Sequence, residues 1–416
     1  MNPKTLTFAA TMTAAASCAI AAGPRFEQFG SGFGHIPVVQ AVSGDGLTIG
    51  GGSVGSWGGP VFWRDPQIPI TVTTYNGGYT GFIRALTPDG RIGVGVIGYD
   101  PIVQAGGAFV WDLVLRQARS LPSTFAAAAY GVTPDGAVIV GTNGRRAVAW
   151  DSNNQRVELM PGQYATAVGV SADGARIVGY FGYDTPVRAF VWTAATGAVQ
   201  LPSPAPGSTH DRALAITPDG STIVGYSGNH WLSGALVRWK LDARGTVTST
   251  AVLSPSGVCF STGDLLDSGG YFTAAVSADG SVIGGTVDER ALVWTEGHGL
   301  LDLTAVYEEF FPQSEVDPHP SPYAVKGISA DGRTLVGLFI DAQQDTSSSW
   351  KLTLPPRCDA DANFDGVADT RDLVRLLGSF GQTVPFGTRG DSNGDGFVDT
   401  SDLIRLLAGF GHACPG

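Results

Sequence analysis

The chain is short of charge. Only 15% of its 416 residues are Asp, Glu, Lys or Arg, against about a quarter in an ordinary globular protein. Basic residues are the scarcer kind, 25 against 37 acidic, and the net charge is −12. A nucleic-acid binder needs a cationic face for the phosphates, so that class is excluded, while a binder of cations is not. No run of 18 apolar residues follows the N-terminal segment, so no membrane-spanning helix is expected. Cysteine is rare, at Cys18, Cys259, Cys358 and Cys414, and no helical period stands out across residues 24–354. What abounds is glycine, 59 residues, beside 43% hydrophobic residues. That composition means many turns, short strands and enough apolar matter for a core.

The first residues read as a secretory signal. Lys4 precedes a small, weakly apolar run from Leu6 to Ile20, and Ala19-Ile20-Ala21 is a small-x-small cleavage site. Residues 1–22 are therefore expected to leave, with the mature chain starting near Ala22 or Gly23, secreted or held at the cell surface. Cys18 is the alternative, as a lipid acceptor, although Ala15 stands where such a signal favours Leu.

A phrase recurs seven times. Its aspartates are Asp45, Asp89, Asp135, Asp173, Asp219, Asp279 and Asp331, each preceded by Ser or Thr two residues earlier and followed by Gly. They stand about 48 residues apart on average, the span of one propeller blade. Asp-Gly between β-rich runs reads as a tight hairpin with both residues at positive φ. A short apolar run follows, as in Val138-Ile139-Val140-Gly141, and the next strand ends on a tryptophan: Trp63, Trp111, Trp150, Trp192, Trp239, Trp294 or Trp350. That Trp is expected to fill the space between neighbouring units. The reading is an all-β, seven-bladed β-propeller over 24–354. The seventh unit meets Pro355-Pro356 and lacks the last strand that Gly197-Ala198-Val199-Gln200-Leu201 provides in the fourth. Arg25–Gly30 has the right length to supply it and close the ring.

The units resemble the extracellular HAF-type repeat family. Ala108-Phe109-Val110-Trp111 and Ala189-Phe190-Val191-Trp192 carry its Ala-Phe-x-Trp part, and Gly299-Leu300-Leu301-Asp302-Leu303 another. Gly107 and Arg188 replace the leading His of the name-giving motif. This resemblance implies a fold and no activity.

A linker at 355–357 leads to residues 358–416, where the pattern is more specific. Asp361, Asn363, Asp365, Val367, Asp369 and Asp372 occupy positions 1, 3, 5, 7, 9 and 12 of a twelve-residue loop with Gly366 at position 6. Asp391, Asn393, Asp395, Phe397, Asp399 and Asp402 repeat it with Gly396. Calcium takes six to eight hard oxygen ligands, and this spacing supplies them from side chains, from the position-7 carbonyl and through water. The usual Glu at position 12 is Asp in both copies. Each loop runs into an amphipathic helix, with Leu373, Leu376, Leu377 and Phe380 recurring as Leu403, Leu406, Leu407 and Phe410. The region carries nine aspartates against four arginines, so without metal it is expected to be largely unfolded. A small all-α, paired EF-hand-like domain holding two calcium ions is the expectation.

This tail is similar to type I dockerins, modules that plug into cohesin-bearing scaffolds. The resemblance implies a cohesin-like domain or surface anchor as partner and a polysaccharide-processing context. Partner choice would fall on loop positions 10 and 11, which are Thr370, Arg371, Thr400 and Ser401, with Arg375 and Arg405 on the helices as further candidates. Cys358 and Cys414 bracket the module as in the dockerin variant with a Gly–Cys-like tail. Export permits a disulfide between them, and two free thiols are the alternative.

No catalytic constellation stands out. His35, His210, His230, His298 and His319 are scattered and read as loop or surface residues, and the repeated Asp reads as a turn residue. Two insertions break the period: residues 241–272, holding Cys259 and Asp264, and residues 305–323, holding Tyr307, Glu308, Glu309, Phe310, Phe311, Glu315, Asp317 and His319. The second is an aromatic–acidic loop able to stack on a sugar ring or simply to cover a blade edge. The chain thus reads as a secreted propeller that binds a ligand, with carbohydrate as a candidate, and is anchored through its tail. The alternatives are a polysaccharide lyase or glycoside hydrolase acting on O-glycosyl bonds from the propeller face, and a purely structural surface protein.

Overall fold

A computed structural model describes residues 24–29, 36–54, 59–65, 68–71, 81–100, 105–123, 126–182, 186–230, 233–258, 274–310, 321–341, 346–354, 360–412 and 414. The expected signal segment 1–22, the expected linker 355–357, Cys259, Asp264 and the stretch holding Phe311, Glu315, Asp317 and His319 lie outside them.

The fold is a seven-bladed β-propeller with a small helical tail. Blade one is β2 (Ile36–Val42), β3 (Ile49–Val54), β4 (Pro60–Asp65) and β5 (Ile68–Thr71). Blade two is β6 (Gly81–Leu86) to β9 (Gln117–Ser120), and blade three is β10 (Ala127–Val132) to β13 (Arg156–Glu158). Blade four is β14 (Ala165–Val170) to β17 (Gly197–Gln200), and blade five is β18 (His210–Ile216) to β21 (Val247–Val252) with β22 (Gly257–Val258) beside β20 (Ser233–Leu241). Blade six is β23 (Ala274–Val276), β24 (Val282–Val287), β25 (Arg290–Thr295) and β26 (Gly299–Asp302). Blade seven is β27 (Ser321–Ile328), β28 (Thr334–Asp341) and β29 (Thr346–Thr353), completed by β1 (Arg25–Gln28). Strands are antiparallel within each blade, and the first strand of each blade neighbours the first strand of the next all the way round.

The expected closure is present. Arg25 pairs Thr353, Phe26 pairs Leu352 and Gln28 pairs Trp350, so the two ends of the ring share one sheet. Phe29 is 2% exposed and sits edge-on to Trp63 of blade one at 5.3 Å.

The repeated turn works differently from a two-residue hairpin. Only the glycines take positive φ, from 65° at Gly90 to 75° at Gly280; the aspartates do not. Each Asp acts through its side chain. Asp135 Oδ1 accepts from Thr133 Oγ1 at 2.6 Å and from the Ala137 N–H at 3.0 Å. Thr133 Oγ1 in turn accepts from the Val138 N–H at 3.0 Å. The same three bonds recur at the other six turns. A six-residue loop needs its interior N–H groups satisfied, and a Ser/Thr–Asp pair does this locally.

These turns are also linked to one another. Gly44 N donates to Pro88 O, Ala172 N to Pro218 O, Ala278 N to Ala330 O and Ala330 N to Gly44 O. The three junctions without this bond are those whose donor position is Pro88, Pro134 or Pro218, and proline has no N–H to give.

The tryptophans pack between neighbouring blades as expected. Trp150 Nε1 donates to Pro122 O of blade two at 2.9 Å, and Trp239 Nε1 to Pro202 O of blade four at 2.7 Å. Trp350 also lies in the core between blades six and seven, but from a different register. It pairs Gly337, whereas the position matching the other six is Leu352, opposite Leu335. A side chain two residues along a strand stays on the same face, and Trp350 is fully buried there above Gly337, where any Cβ would collide with its ring at 2.3 Å.

The segment expected to be an insertion loop from residue 305 begins as a helix, α1 (Leu303–Phe310). Leu303 and Val306 are buried in the core between blades six and seven. Tyr307 packs edge-on against Phe26 at 4.9 Å and tilted against Phe339 at 5.3 Å, so its ring is taken by the core and not offered to a sugar. His210, expected at the surface, is a strand residue only 6% exposed.

Candidate metal loops in the tail

The tail contains two copies of one loop–helix unit, ending in α2 (Thr370–Gly378) and α3 (Thr400–Gly409). The loops share a backbone fingerprint. Position 4 is left-handed in both, at Phe364 (φ 61°) and Gly394 (φ 69°), and Gly366 and Gly396 at position 6 both stand at 85°. Glycine is required there because the chain reverses sharply around the loop centre.

The side-chain oxygens are arranged alike. In loop one, Asp361 accepts from the N–H groups of Asp365 at 3.0 Å and Gly366 at 2.8 Å, and Asn363 Oδ1 accepts from Asp365 N at 2.8 Å. In loop two, Asp391 accepts from Gly387, Gly394, Asp395 and Gly396. Position 12 has two roles. Asp372 Oδ1 accepts from Asn363 N at 3.0 Å while its Oδ2 accepts from Asp369 N at 2.8 Å, and Asp402 repeats both bonds. Asp369 and Asp399 reciprocate as N-caps, closing a capping box at the start of each helix. The Asp-x-x-Asp spacing carries the signal for that role in the sequence.

Burial pushes the Asp361 carboxyl up to about 6, with the charges of Asp372 and Asp365 adding to it. Burial also raises Asp372, with the Asp365 charge adding, and Asp391, with the Asp402 charge adding. Among the described residues no three His, Cys, Asp or Glu side chains stand grouped as a finished cage. Each loop instead mixes carboxylates with an Asn amide and a position-7 backbone carbonyl, at Val367 and Phe397. Buried carboxylates that repel one another, with a turn holding them close, suit a hard divalent cation such as calcium. In loop one the exposed Arg371 guanidinium reaches Asp365 at 3.0 Å and Asp369 at 3.3 Å; Ser401 takes its place in loop two.

The two units are interlocked. Ala368 at position 8 of loop one exchanges backbone bonds with Gly411 and His412 beyond α3, and Val398 of loop two does so with Gly381 and Gln382 beyond α2. Leu376, Leu406, Ala368 and Val398 form the small core. The expected single apolar face of each helix is split. Leu376 and Leu406 are buried and Leu373 and Leu403 partly so, but Leu377, Phe380, Leu407 and Phe410 are 54%, 44%, 56% and 36% exposed. Val374 and Ile404 are exposed beside them at 69% and 65%.

The remaining sequence candidates divide. Thr370, Arg371, Thr400 and Ser401 are exposed. Arg375 pairs with Glu309 of α1, and Arg405 donates to Gly297 O of blade six at 2.6 Å. Both guanidinium groups therefore face the propeller. A small cavity of about 120 Å³ remains at this seam, lined by Glu308, Glu309, Pro385, Thr388 and Arg389. Cys414 N donates to Gly366 O, and its Sγ stands 3.7 Å from Asp361; Cys358 lies outside the described residues. No helix among the described residues is long and apolar enough to cross a membrane.

No family model matches the sequence, and no curated protein matches it. Solved structures are similar at low identity. An oligogalacturonate lyase in complex with manganese is 14% identical with a TM-score of 0.49, covering 76% of this chain and 88% of its own. An oligogalacturonate lyase from Vibrio parahaemolyticus is 12% identical at 0.49, covering 80% and 98%. TolB from Acinetobacter baumannii is 16% identical at 0.37, and the match spans 63% of each chain.

Proposed function

We propose that the chain is a secreted, propeller-based binding protein held by its tail, in a calcium-dependent manner, to a cohesin-type scaffold or cell-surface partner. The observation that carries this reading is the doubled apolar stripe on the tail. Val374, Leu377 and Phe380 on one unit and Ile404, Leu407 and Phe410 on the other stay exposed. A module of this size does not ordinarily leave six large apolar side chains in water without a partner to cover them. Thr370, Arg371, Thr400 and Ser401 stand exposed at the N-terminal ends of the same helices and supply polar contacts at the rim. Two calcium ions, one per loop, neutralise the carboxylates and hold the helices in place. A Cys358–Cys414 disulfide fits this arrangement. Asp361, three residues beyond Cys358, already lies beside Cys414, and closing such a loop contributes about 2–4 kcal/mol.

The test is binding of the full chain to a panel of immobilised cohesin domains, with calcium and with chelator. Saturable binding that chelator abolishes, and that Leu377→Ser with Leu407→Ser weakens at least about tenfold, supports the reading. Binding to none of them in calcium argues against it. The polysaccharide context rests on the resemblance of the tail; a glycan array with a parallel hydrolysis screen on the full chain decides between a binding and a hydrolytic propeller.

A further inference from the structure

Position 4 is where the two metal loops differ most: Phe364 in one, Gly394 in the other. By spacing neither is a ligand position, yet each lies between two that are, Asn363 and Asp365 or Asn393 and Asp395. Both face the propeller. The Phe364 side chain is 1% exposed and belongs to the same apolar cluster as Leu301, Leu303, Val306 and Val325 of blades six and seven. At Gly394 a Cβ would stand 2.4 Å from Leu300 N and 2.6 Å from His298 O, so the loop backbone lies flush against β26. Gly299 on the propeller side is equally constrained, its Cβ position lying 2.1 Å from Asn393 O. Around this seat Asp302 N donates to Phe386 O at 2.9 Å, Arg405 donates to Gly297 O, and Arg375 pairs with Glu309. One loop inserts a side chain and the other can afford none, because the propeller leaves a pocket at one apex and no gap at the other.

We infer that the tail is a metal-dependent clamp on blade six. Cation binding fixes the backbone on which Phe364 and Gly394 stand, and so holds β26 and α1 in place. Reciprocally, the docked propeller raises the affinity of both loops for calcium, since coupling between two equilibria acts equally in both directions. This rests on reading the loops as calcium sites.

The experiment uses the full chain with calcium alone as ligand, titrated by calorimetry and followed by hydrogen exchange. Phe364→Ala changes no ligand position and is expected to weaken calcium binding about tenfold, with Arg405→Ala a few-fold weaker by the same coupling. In the native chain, chelator is expected to speed exchange in β26 and α1 while blade three, on the far side of the ring, keeps its protection. Native calcium affinity in both variants, with exchange in β26 and α1 indifferent to chelator, overturns the clamp while leaving the calcium sites intact. Arg405 lies on the surface of α3, so its variant keeps the test decisive should Phe364→Ala unfold the tail. A native chain that takes up no calcium overturns both readings.

Discussion

The propeller and the tail each repeat aspartates within glycine-containing loops, and the carboxyls of the two regions shift in opposite directions. In the turns, Asp89, Asp135 and Asp173 are held below the usual carboxylate range, first by the hydroxyl of Thr87, Thr133 or Ser171 and then by a backbone N–H. At Asp219, Asp279 and Asp331 the same donors outweigh some burial, and the carboxyls are again lowered. In the tail, Asp361, Asp372 and Asp391 are raised, by burial first and then by one another's or neighbouring charges. A turn aspartate is satisfied by donors within two residues of itself. A loop aspartate accepts comparable N–H bonds and is still short of positive charge. The same residue type is a finished structural part in one region and an unfinished one in the other, and what separates them is first how deeply the carboxyl is buried and then the number of carboxylates brought together.

The largest effect is expected from metal removal. Chelator should abolish most of the circular-dichroism signal of α2 and α3 while the strand signal persists; full helix content in excess chelator contradicts the comparison. Next comes the ring closure, a purely structural seam. Deleting residues 24–29 removes Phe26 and Phe29, and losing one buried Phe typically costs about 3–5 kcal/mol, so calorimetry should show a sharp fall in Tm with or without calcium. An unchanged Tm would show that β1 does not close the ring.

Acid should then separate the two regions by sign. The turn aspartates have folded pKa values below the unfolded one, so their contribution is complete above about pH 4 and is lost as pH falls through the lower folded values. The metal-free tail runs the other way. With Asp361 raised to about 6, its stability is complete below the unfolded value near 4 and is lost as pH rises through 6. In chelator, lowering pH from 7 to 5 should therefore restore some helix while leaving the propeller melt unmoved. Helix content that instead falls over that range would contradict the assignment. Smaller still, Thr133→Val removes the hydroxyl serving both Asp135 and the Val138 N–H, for a loss of about 1–3 kcal/mol by chemical denaturation. The smallest effect is expected from Arg371→Ala, which withdraws a competing cation from Asp365 and should tighten calcium binding at loop one a few-fold by calorimetry.

How much of this was legible depended on distance along the chain. The Asp-Gly turns and both candidate metal loops are legible because their chemistry lies within a dozen residues, and the missing fourth strand of the seventh blade shows by comparison with the other repeats. The helix α1 is hard to read although Leu303, Val306, Tyr307 and Phe310 stand at i, i+3, i+4 and i+7; eight residues among the 29 strands of the described residues make too short a period to separate from its surroundings. The different register of Trp350 is invisible in the sequence because register is a property of strand pairing, which an unpaired strand does not display. The solvent exposure of Leu377 and Leu407 could not be read from a helical period that marks them as apolar and nothing more.

By itself the sequence determined the seven turns and two sets of oxygen donors, because glycine conformation and donor spacing are local facts; the closing strand showed only because the seventh unit is one strand short of the other repeats. Tertiary structure alone decided where the tail sits and which of its residues remain free. Arg375 meets Glu309 across 66 residues and Arg405 meets Gly297 across 108. At such separations contact depends on how whole blades pack, and no local pattern encodes it. That packing turns Phe364 and Gly394, unremarkable inside their loops, into the points where a metal-binding module would meet the propeller.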